Sequence, residues 1–480
     1  MKVLKEKKEI RLRSVISVFL FLFISMWYTI VYIDSWVVQI PLIATACLAG
    51  GVAYFHGYKW SDIIDAILYG VGVAMEGLLI LLIIGMVIGS WVASGTVQTI
   101  IVYGLDILSP QWFLPATLIV SAATALATGS AWTTGGTVGV ALMGIGTGLG
   151  INPAIVAGAV VSGSFFGDKL SPLSDNSNVV SAATGANLFE HVKHTAWTAI
   201  PGFFISLIIY SFMGMGYGSE VINDSAISET LSVLHNNFYI GPILLLPPIL
   251  VLVQSYFKIP AIPSLLVATI AGSILAIAFQ GINISEMFTI IYSGFTGATG
   301  NAAVDKIVSR GGLASMYYNT SLAISALALA GILEKTGMLK VLLKQMESLL
   351  RTRLSLVLTT MITSWLTNLA MASQHMAMIV PGRMYLPAYK KHSLKIINLS
   401  RTLADSGGLS APLVPWGLSG AFMAGALGVG TLEYAPYAVF CFIVPVIALI
   451  YAATGFKFEY ETTEENLTTI KKEVRGEIND

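Results

Sequence analysis

Apolar residues in this chain come in runs of roughly twenty, and a helix of that length spans the ~30 Å hydrocarbon core of a bilayer. Residues 14–33, 36–55, 195–213, 238–256, 263–279, 315–333 and 434–454 fit that description. None shows the two-residue alternation of a barrel strand. Backbone in lipid needs internal hydrogen bonds, so the pattern predicts spanning helices. Residues 62–95 are too many for one span and divide into an interfacial helix and a span from Met75 to Ser94. Residues 95–108 and 284–296 carry polar positions between helically spaced apolar ones, which predicts helices lying along the interface.

The remaining apolar segments are short and come in pairs around polar centres. Residues 112–127 and 137–147 flank Thr128-Gly-Ser-Ala-Trp-Thr-Thr-Gly-Gly136, and residues 354–369 and 374–386 flank the tip at 367–374. Arms of that length predict re-entrant hairpins or, for the first pair, a broken helix. Residues 155–162 and 179–184 flank Gly163-Ser-Phe-Phe-Gly-Asp-Lys-Leu-Ser-Pro-Leu-Ser-Asp-Asn-Ser-Asn178, and residues 395–427 are interrupted at Asp405-Ser-Gly-Gly-Leu-Ser-Ala-Pro412. Pro172 cannot continue a helical hydrogen-bond ladder, and Gly163 and Gly167 weaken it, so each of these predicts a broken helix across the membrane. Broken helices of this kind build the binding sites of secondary transporters.

The order of elements then repeats. Residues 217–239 carry Glu220, Asp224 and Glu229 with no Lys or Arg, and they divide the chain nearly in half. Asp168 matches Asp405, Pro172 matches Pro412, and Thr128-Gly129 matches Thr367-Asn368. The basic segments are the N-terminal tail, Lys335 to Arg353 and Arg383 to Lys395. Placing them in the cytoplasm puts 217–239 outside and gives each half an odd number of crossings, so the repeats are inverted. The expected fold is an all-α polytopic membrane protein of two inverted-topology repeats with broken helices and re-entrant hairpins. Its parts are a basic cytoplasmic tail (1–13), a first transmembrane repeat (14–215), an extracytoplasmic connector (216–238), a second repeat (239–455) and a charged cytoplasmic tail (456–480).

Composition agrees: 55% of the 480 residues are hydrophobic and 11% charged, with a net charge of zero. The bilayer is therefore the expected surrounding, and no basic block suggests nucleic acid. Cys47 and Cys441 lie in separate apolar runs, which leaves neither a disulfide framework nor a transition-metal site. The N-terminus has the charge and apolar run of a signal peptide, but it shows no small-residue cleavage site and runs on through Trp27 and Tyr28, so a first span is expected. No G-x-x-x-x-G-K-[ST] string is present, and no nucleophile–base constellation is recognisable, so an ATP-driven pump and an enzyme are both disfavoured. No cofactor is expected, and an oligomer is compatible with the sequence.

A charged residue at membrane depth costs at least ~3 kcal/mol, so it normally faces a partner or a pathway. Asp168 is the first candidate for an ion- and proton-binding carboxylate, with Asp175 second and Asn176, Ser171 and Ser177 as neutral oxygen donors around them. A carboxylate partly removed from water holds its proton nearer neutral pH, where a proton competes with a metal ion. Lys169 is either an ion-pair partner of Asp168 or a charge that the ion displaces. Asp405 is the expected pseudo-symmetric ligand, or else a helix N-cap. The hairpin tips offer Thr128, Ser130, Thr133 and Thr134 in one half and Asn368, Ser373 and Gln374 in the other, although capping and helix packing claim such residues too. Arg310 is a possible anchor for a substrate carboxylate, or a loop anchor.

The string Gly163 to Asp175, together with Phe189-Glu-His-Val-Lys-His194, Thr128-Gly-Ser-Ala-Trp132 and Ser309-Arg-Gly-Gly-Leu313, resembles the NhaC-type sodium/proton antiporter family over residues 70–455. The resemblance implies a multi-pass exchanger of Na+ for H+ in a prokaryotic cytoplasmic membrane, in a group built on inverted repeats. It maps the family's Asp positions onto Asp168 and Asp175, and so places Na+ in the Asp168 region. The family also includes exchangers that couple sodium and protons to malate and lactate, which makes small carboxylates the alternative cargo. Where members often carry Thr-Thr after the second Asp, this chain has Asn176-Ser177.

Overall fold

A computed structural model describes residues 10–35, 37–107, 109–219, 224–346 and 350–461. The tails at 1–9 and 462–480 and the connector residues 220–223 lie outside the described residues. The described chain is helical, and its one isolated bridge pairs Leu394 with Tyr460. Among the described residues seven helices are long and apolar enough to cross a membrane, or up to 9 if two bent pairs are each one span. Their outward positions are apolar, as on the helix from Leu188, where Phe204, Ile208 and Phe212 are exposed while Ser206 is buried.

The first half runs through α1 (Leu12–Trp27), α2 (Gln39–Phe55), α3 (Trp60–Val73), α4 (Met75–Ala93) and α5 (Thr96–Ile107). The first hairpin follows as α6 (Pro110–Thr128), α7 (Ala131–Thr134) and α8 (Val140–Gly148), with a π turn at Gly135–Gly139 between the last two. Then come α9 (Pro153–Leu170), α10 (Asp175–Thr184) and α11 (Leu188–Ser219). Much of the proposed connector is helical: α11 reaches Ser219 and α12 covers Asp224–Asn237. The second half continues with α13 (Leu246–Tyr256), α14 (Ala261–Gln280), α15 (Ile284–Ser293), α16 (Ala302–Val308), α17 (Tyr317–Lys335) and α18 (Met338–Lys344). It closes with the hairpin α19 (Arg353–Met371) and α20 (Gln374–Lys391), then α21 (Ile396–Leu403), α22 (Leu418–Leu427), α23 (Thr431–Tyr434) and α24 (Val439–Thr454).

Helix caps give the correspondence between halves residue by residue. The first hairpin turns at Gly129 in the left-handed region and restarts at Ser130, whose hydroxyl accepts from the Thr133 N–H (3.1 Å). The second turns at Ala372, also left-handed, and restarts at Ser373, which caps the Met376 N–H in the same way. In this one register Asn152 and Lys395 start the broken spans, Ser174 and Gly417 restart them, and Gly185 and Gly428 end them. Asp168 therefore corresponds to Ala411 and Asp405 to Ser162, which replaces the expected pairing of the two aspartates.

Several local expectations change. The break in the first span is confined to residues 171–174, and Gly163 and Gly167 lie inside an unbroken α9. A Cβ on Gly163 would come within 2.4 Å of the Leu118 carbonyl oxygen, and one on Gly167 within 2.4 Å of the Ala122 oxygen and Leu126 nitrogen. These glycines let α9 lie against α6, as small residues do between membrane helices. Helix α5 is buried rather than interfacial at Thr96, Gln98 and Thr99, where Thr96 donates to the Leu244 carbonyl (2.7 Å) and Gln98 to that of Val92 (3.0 Å). The stretch read as a span over 238–256 is helical from Pro242 to Tyr256, and the chain bends by 94° between it and the preceding helix. Each hairpin also reaches across the molecule. Trp132 stacks on Phe422 of α22 at 4.8 Å, while α20 packs against α10.

Candidate ion site

The chemistry converges where the two broken spans pass each other. Helix α9 ends at Leu170 because Pro172 cannot donate into it. Ser174 then starts α10 by accepting from the Asn176 backbone N–H (3.1 Å). The same hydroxyl donates to Asp168 Oδ1 (2.8 Å), and Asn176 Nδ2 donates to Asp168 Oδ2 (2.5 Å). The Ala131 backbone N–H, at the N-terminus of the second arm of the first hairpin, completes the set. Helix N-termini favour anions, so the hairpin tip holds the carboxylate that the break leaves exposed to it.

One residue on, Lys169 points elsewhere. Its Nζ donates to Asp405 Oδ1 at 2.5 Å, with both side chains buried. Asp405 lies in a π turn, Ala404–Gly408, at the end of α21, and Thr198 of α11 also donates to its Oδ1 (2.8 Å). The second hairpin secures that turn: Asn368 Nδ2 donates to the Gly407 carbonyl and to Ser410 Oγ, both at 2.7 Å, and Gln374 Nε2 donates to the Gly408 carbonyl (3.0 Å). One helical turn below Asp405, Arg401 is 1% exposed and completes a set of four buried charges, two of each sign.

Between these elements lies a cavity of about 20 Å³, lined by Asp168, Lys169, Asn176, Ser177, His191 and Gln374 among others. Such a space admits one water-sized particle or one bare monovalent cation. Asn176 Oδ1, Asp405 Oδ2 and His191 Nε2 are buried with no hydrogen-bond partner among the described residues. An array of carboxylate, amide and hydroxyl oxygens suits a hard cation.

The remaining expected residues divide. Ser177 stays at the cavity, its hydroxyl 3.4 Å from the Lys169 carbonyl, whereas Ser171 donates to the Leu126 carbonyl (3.0 Å) and ties the break to α6. Asp175, the second candidate, is exposed on the first turn of α10, and its neighbours Ser174 and Asn176 reach Asp168 instead. Asp405 is neither an N-cap nor a symmetric copy of Asp168, but the partner of Lys169. Thr128, Ser130, Thr133 and Thr134 make local turn and capping bonds, as Thr134 does to the Ser130 carbonyl (3.0 Å), and Ser373 caps α20. Arg310 is far from the cavity, its guanidinium packed over Gly428 at the opposite end of the second broken span. Sequence reasoning did not single out Thr198, His191 or Arg401 as site residues. Arg401 had a signal, a full charge within the apolar stretch at 395–427, and His191 lies in the string at 189–194.

Known proteins resemble this chain over most of its length. A family model described as the Na+/H+ antiporter family matches residues 4–177 and 163–456. A Na+/H+ antiporter NhaC of Alkalihalophilus pseudofirmus is 40% identical over 418 residues, covering 87% of this chain and 90% of that protein. A malate-2H+/Na+-lactate antiporter of Bacillus subtilis is 34% identical over 473 residues, covering 98% of this chain and 100% of that protein. A second antiporter NhaC, also from Bacillus subtilis, is 34% identical over 413 residues, covering 86% and 91%.

Proposed function

Because the chain belongs to the Na+/H+ antiporter family, we propose that it exchanges sodium for protons across a membrane at the cavity between Asp168 and the Lys169–Asp405 pair. The observation that carries this reading is a fully buried carboxylate, Asp168, lining a space that fits one bare cation. Asp168, Lys169, Asp405 and Arg401 together carry no net charge when all are ionised. Either one sodium or one proton then adds a single positive charge, while both at once would leave a larger uncompensated charge in a low-dielectric interior. The two ions exclude each other, as exchange requires. Sodium would take Asp168 and the Asn176 carbonyl oxygen. Ser174 would turn its hydroxyl hydrogen away, and the Lys169–Asp405 pair would keep a second carboxylate from competing.

The protein works on this reading as a transporter driven by ion gradients, without a cofactor and not as an enzyme. Its two halves are inverted repeats. In support, Gly185, which ends the first broken span, and Lys395, which starts the second, line one cavity, so the matched spans run in opposite directions. The Lys- and Arg-rich segments place that end, and both termini, in the cytoplasm of a prokaryotic cell. A dicarboxylate does not fit the cavity, and Arg310 does not face it, so malate and lactate remain the second reading.

The test uses proteoliposomes with an acidic interior, a trapped pH dye and the voltage clamped by an ionophore. Sodium added outside should raise the internal pH, and Asp168→Asn should abolish the response while still inserting into the membrane. Full activity in that variant would refute the role of Asp168. Silence with sodium alone, followed by a response with malate and lactate on opposite sides, would reassign the cargo.

A further inference from the structure

A second, larger cavity of about 580 Å³ opens at the end of the bundle where Lys395 lies. Glu190, Glu459 and Glu461 line it beside Lys193, His194 and Trp197. It and the small ion cavity meet the same helix: His191 of α11 lines the inner one, and His194, one turn along, lines the outer. Arg401, one turn before Asp405, donates through Nη1 to the Lys457 carbonyl (2.8 Å) and lies 3.2 Å from His194 Nε2.

Lys457 belongs to a strap, residues 455–461, that leaves α24 and turns back across the end of the bundle. Gly455 (φ 83°) and Lys457 (φ 53°) make the bends. The strap then pairs with the turn before α21: the Lys395 N–H donates to the Glu459 carbonyl (3.0 Å) and the Glu461 N–H to that of Ser393 (2.9 Å). Asn398 Nδ2 donates to the Glu459 carbonyl (2.7 Å), and Arg353 Nη1 of α19 donates to the Tyr460 hydroxyl (2.7 Å). Phe458 is buried with the guanidinium groups of Arg353 and Arg401 over its ring, at 5.5 and 4.9 Å. Across the strap, Lys457 Nζ sits 3.8 Å over Trp197. One short segment thus ties together α11, α19, α21 and the turn before α21, and holds the Arg401 guanidinium.

We propose that the larger cavity is the cytoplasmic entrance for hydrated monovalent cations, and that the strap at 455–461, through Arg401, is the gate between this entrance and the ion site. The inference rests on the exchange reading given above. Three carboxylates against two lysines, Lys193 and Lys395, leave the lining of the mouth with one net negative charge, and the volume admits an ion with its water shell, which the inner cavity does not. Passage inward requires Arg401 to leave the Lys457 carbonyl, so the strap must shift before the ion enters.

Leu394 and Tyr460 face each other as a non-hydrogen-bonded antiparallel pair, a geometry with Cα atoms about 4.5 Å apart that accepts a disulfide. Leu394→Cys/Tyr460→Cys, in a Cys47→Ala/Cys441→Ala background, staples the strap. Oxidation should slow sodium/proton exchange in proteoliposomes by about tenfold or more, with recovery on reduction, since lid opening then limits turnover. Equal rates for the cross-linked and reduced forms would overturn the gate. An independent measurement needs no transport. In the same background, Val180→Cys on the inner cavity should react about tenfold faster with a small water-soluble thiosulfonate applied from the strap side when Phe458→Ala loosens the strap. An unchanged labelling rate would equally overturn it. If neither the reduced variant nor the unsubstituted protein exchanges sodium for protons, the functional reading fails, and the labelling comparison still decides the gate.

Discussion

Lys169 follows Asp168 directly in sequence yet pairs with Asp405 across the molecule. Successive residues on a helix do not face each other, so a Lys beside an Asp in a helical string is poorly placed to neutralise it. This is why the sequence offered Asp168, Asn176 and Asp405 as candidates but did not tell which charge pairs with which. A carboxylate beside a proline break in an apolar segment is conspicuous on cost alone, whereas Thr198, Asp405 and Arg401 reach the site from elements that only the folded chain brings together. Asp175 and Asn176 show the same limit, since the turn of α10 presents the amide and not the carboxylate. The buried pair makes a stability prediction separable from transport. Lys169→Gln strands Asp405 and should cost about 3–5 kcal/mol, whereas Lys169→Gln/Asp405→Asn removes both charges and should recover most of that loss. Thermal unfolding in detergent would show it: a low Tm for the single variant and a near-normal one for the double. A double variant as unstable as the single would mean that packing, not charge, sets the cost.

Spans and interruptions were legible at the scale of elements, because length, hydropathy and Pro are properties of local sequence. The π turns at Gly135–Gly139 and Ala404–Gly408 were not, nor was the left-handed Ala372, since a non-glycine residue gives no local sign of that backbone. The glycines of α9 carry the clearest lesson. Gly163 and Gly167 resemble helix breakers in sequence, yet they are contact points at which α6 and α9 touch backbone to backbone. Gly167→Ala should therefore destabilise the protein by about 1–3 kcal/mol, as overpacking does, and displace Asp168 beside it enough to reduce exchange. Gly51→Ala in α2, whose Cβ would meet nothing within 4 Å, should be neutral or gain up to ~1 kcal/mol of helix propensity. Parallel thermal unfolding of the two variants checks the contrast. Equal effects would show that helix propensity, not close approach, governs α9.

At the scale of the whole molecule, the two hairpins cross over between halves. Each first arm packs on its own broken span (α6 on α9, α19 on the π turn before α22), while the returning arms pack on the broken spans of both halves. The opposite running directions proposed above would bring the returning arms within reach of both spans. Ala186 lies just beyond Gly185, at the end of the first broken span, and Gly430 lies just beyond Gly428, at the end of the second. If the halves are inverted across a membrane, these two span ends face opposite compartments. The expected outcome is specific. In a Cys47→Ala/Cys441→Ala background, an impermeant thiol reagent should label Ala186→Cys only from the cytoplasmic side and Gly430→Cys only from the outside, in right-side-out and inside-out vesicles compared pairwise. Labelling of both from one side would require parallel halves, and the site between Asp168 and Asp405 would then have no symmetric route to the second compartment. Labelling with the sides exchanged would keep the inversion but reverse the orientation, placing the strap and its vestibule outside the cell.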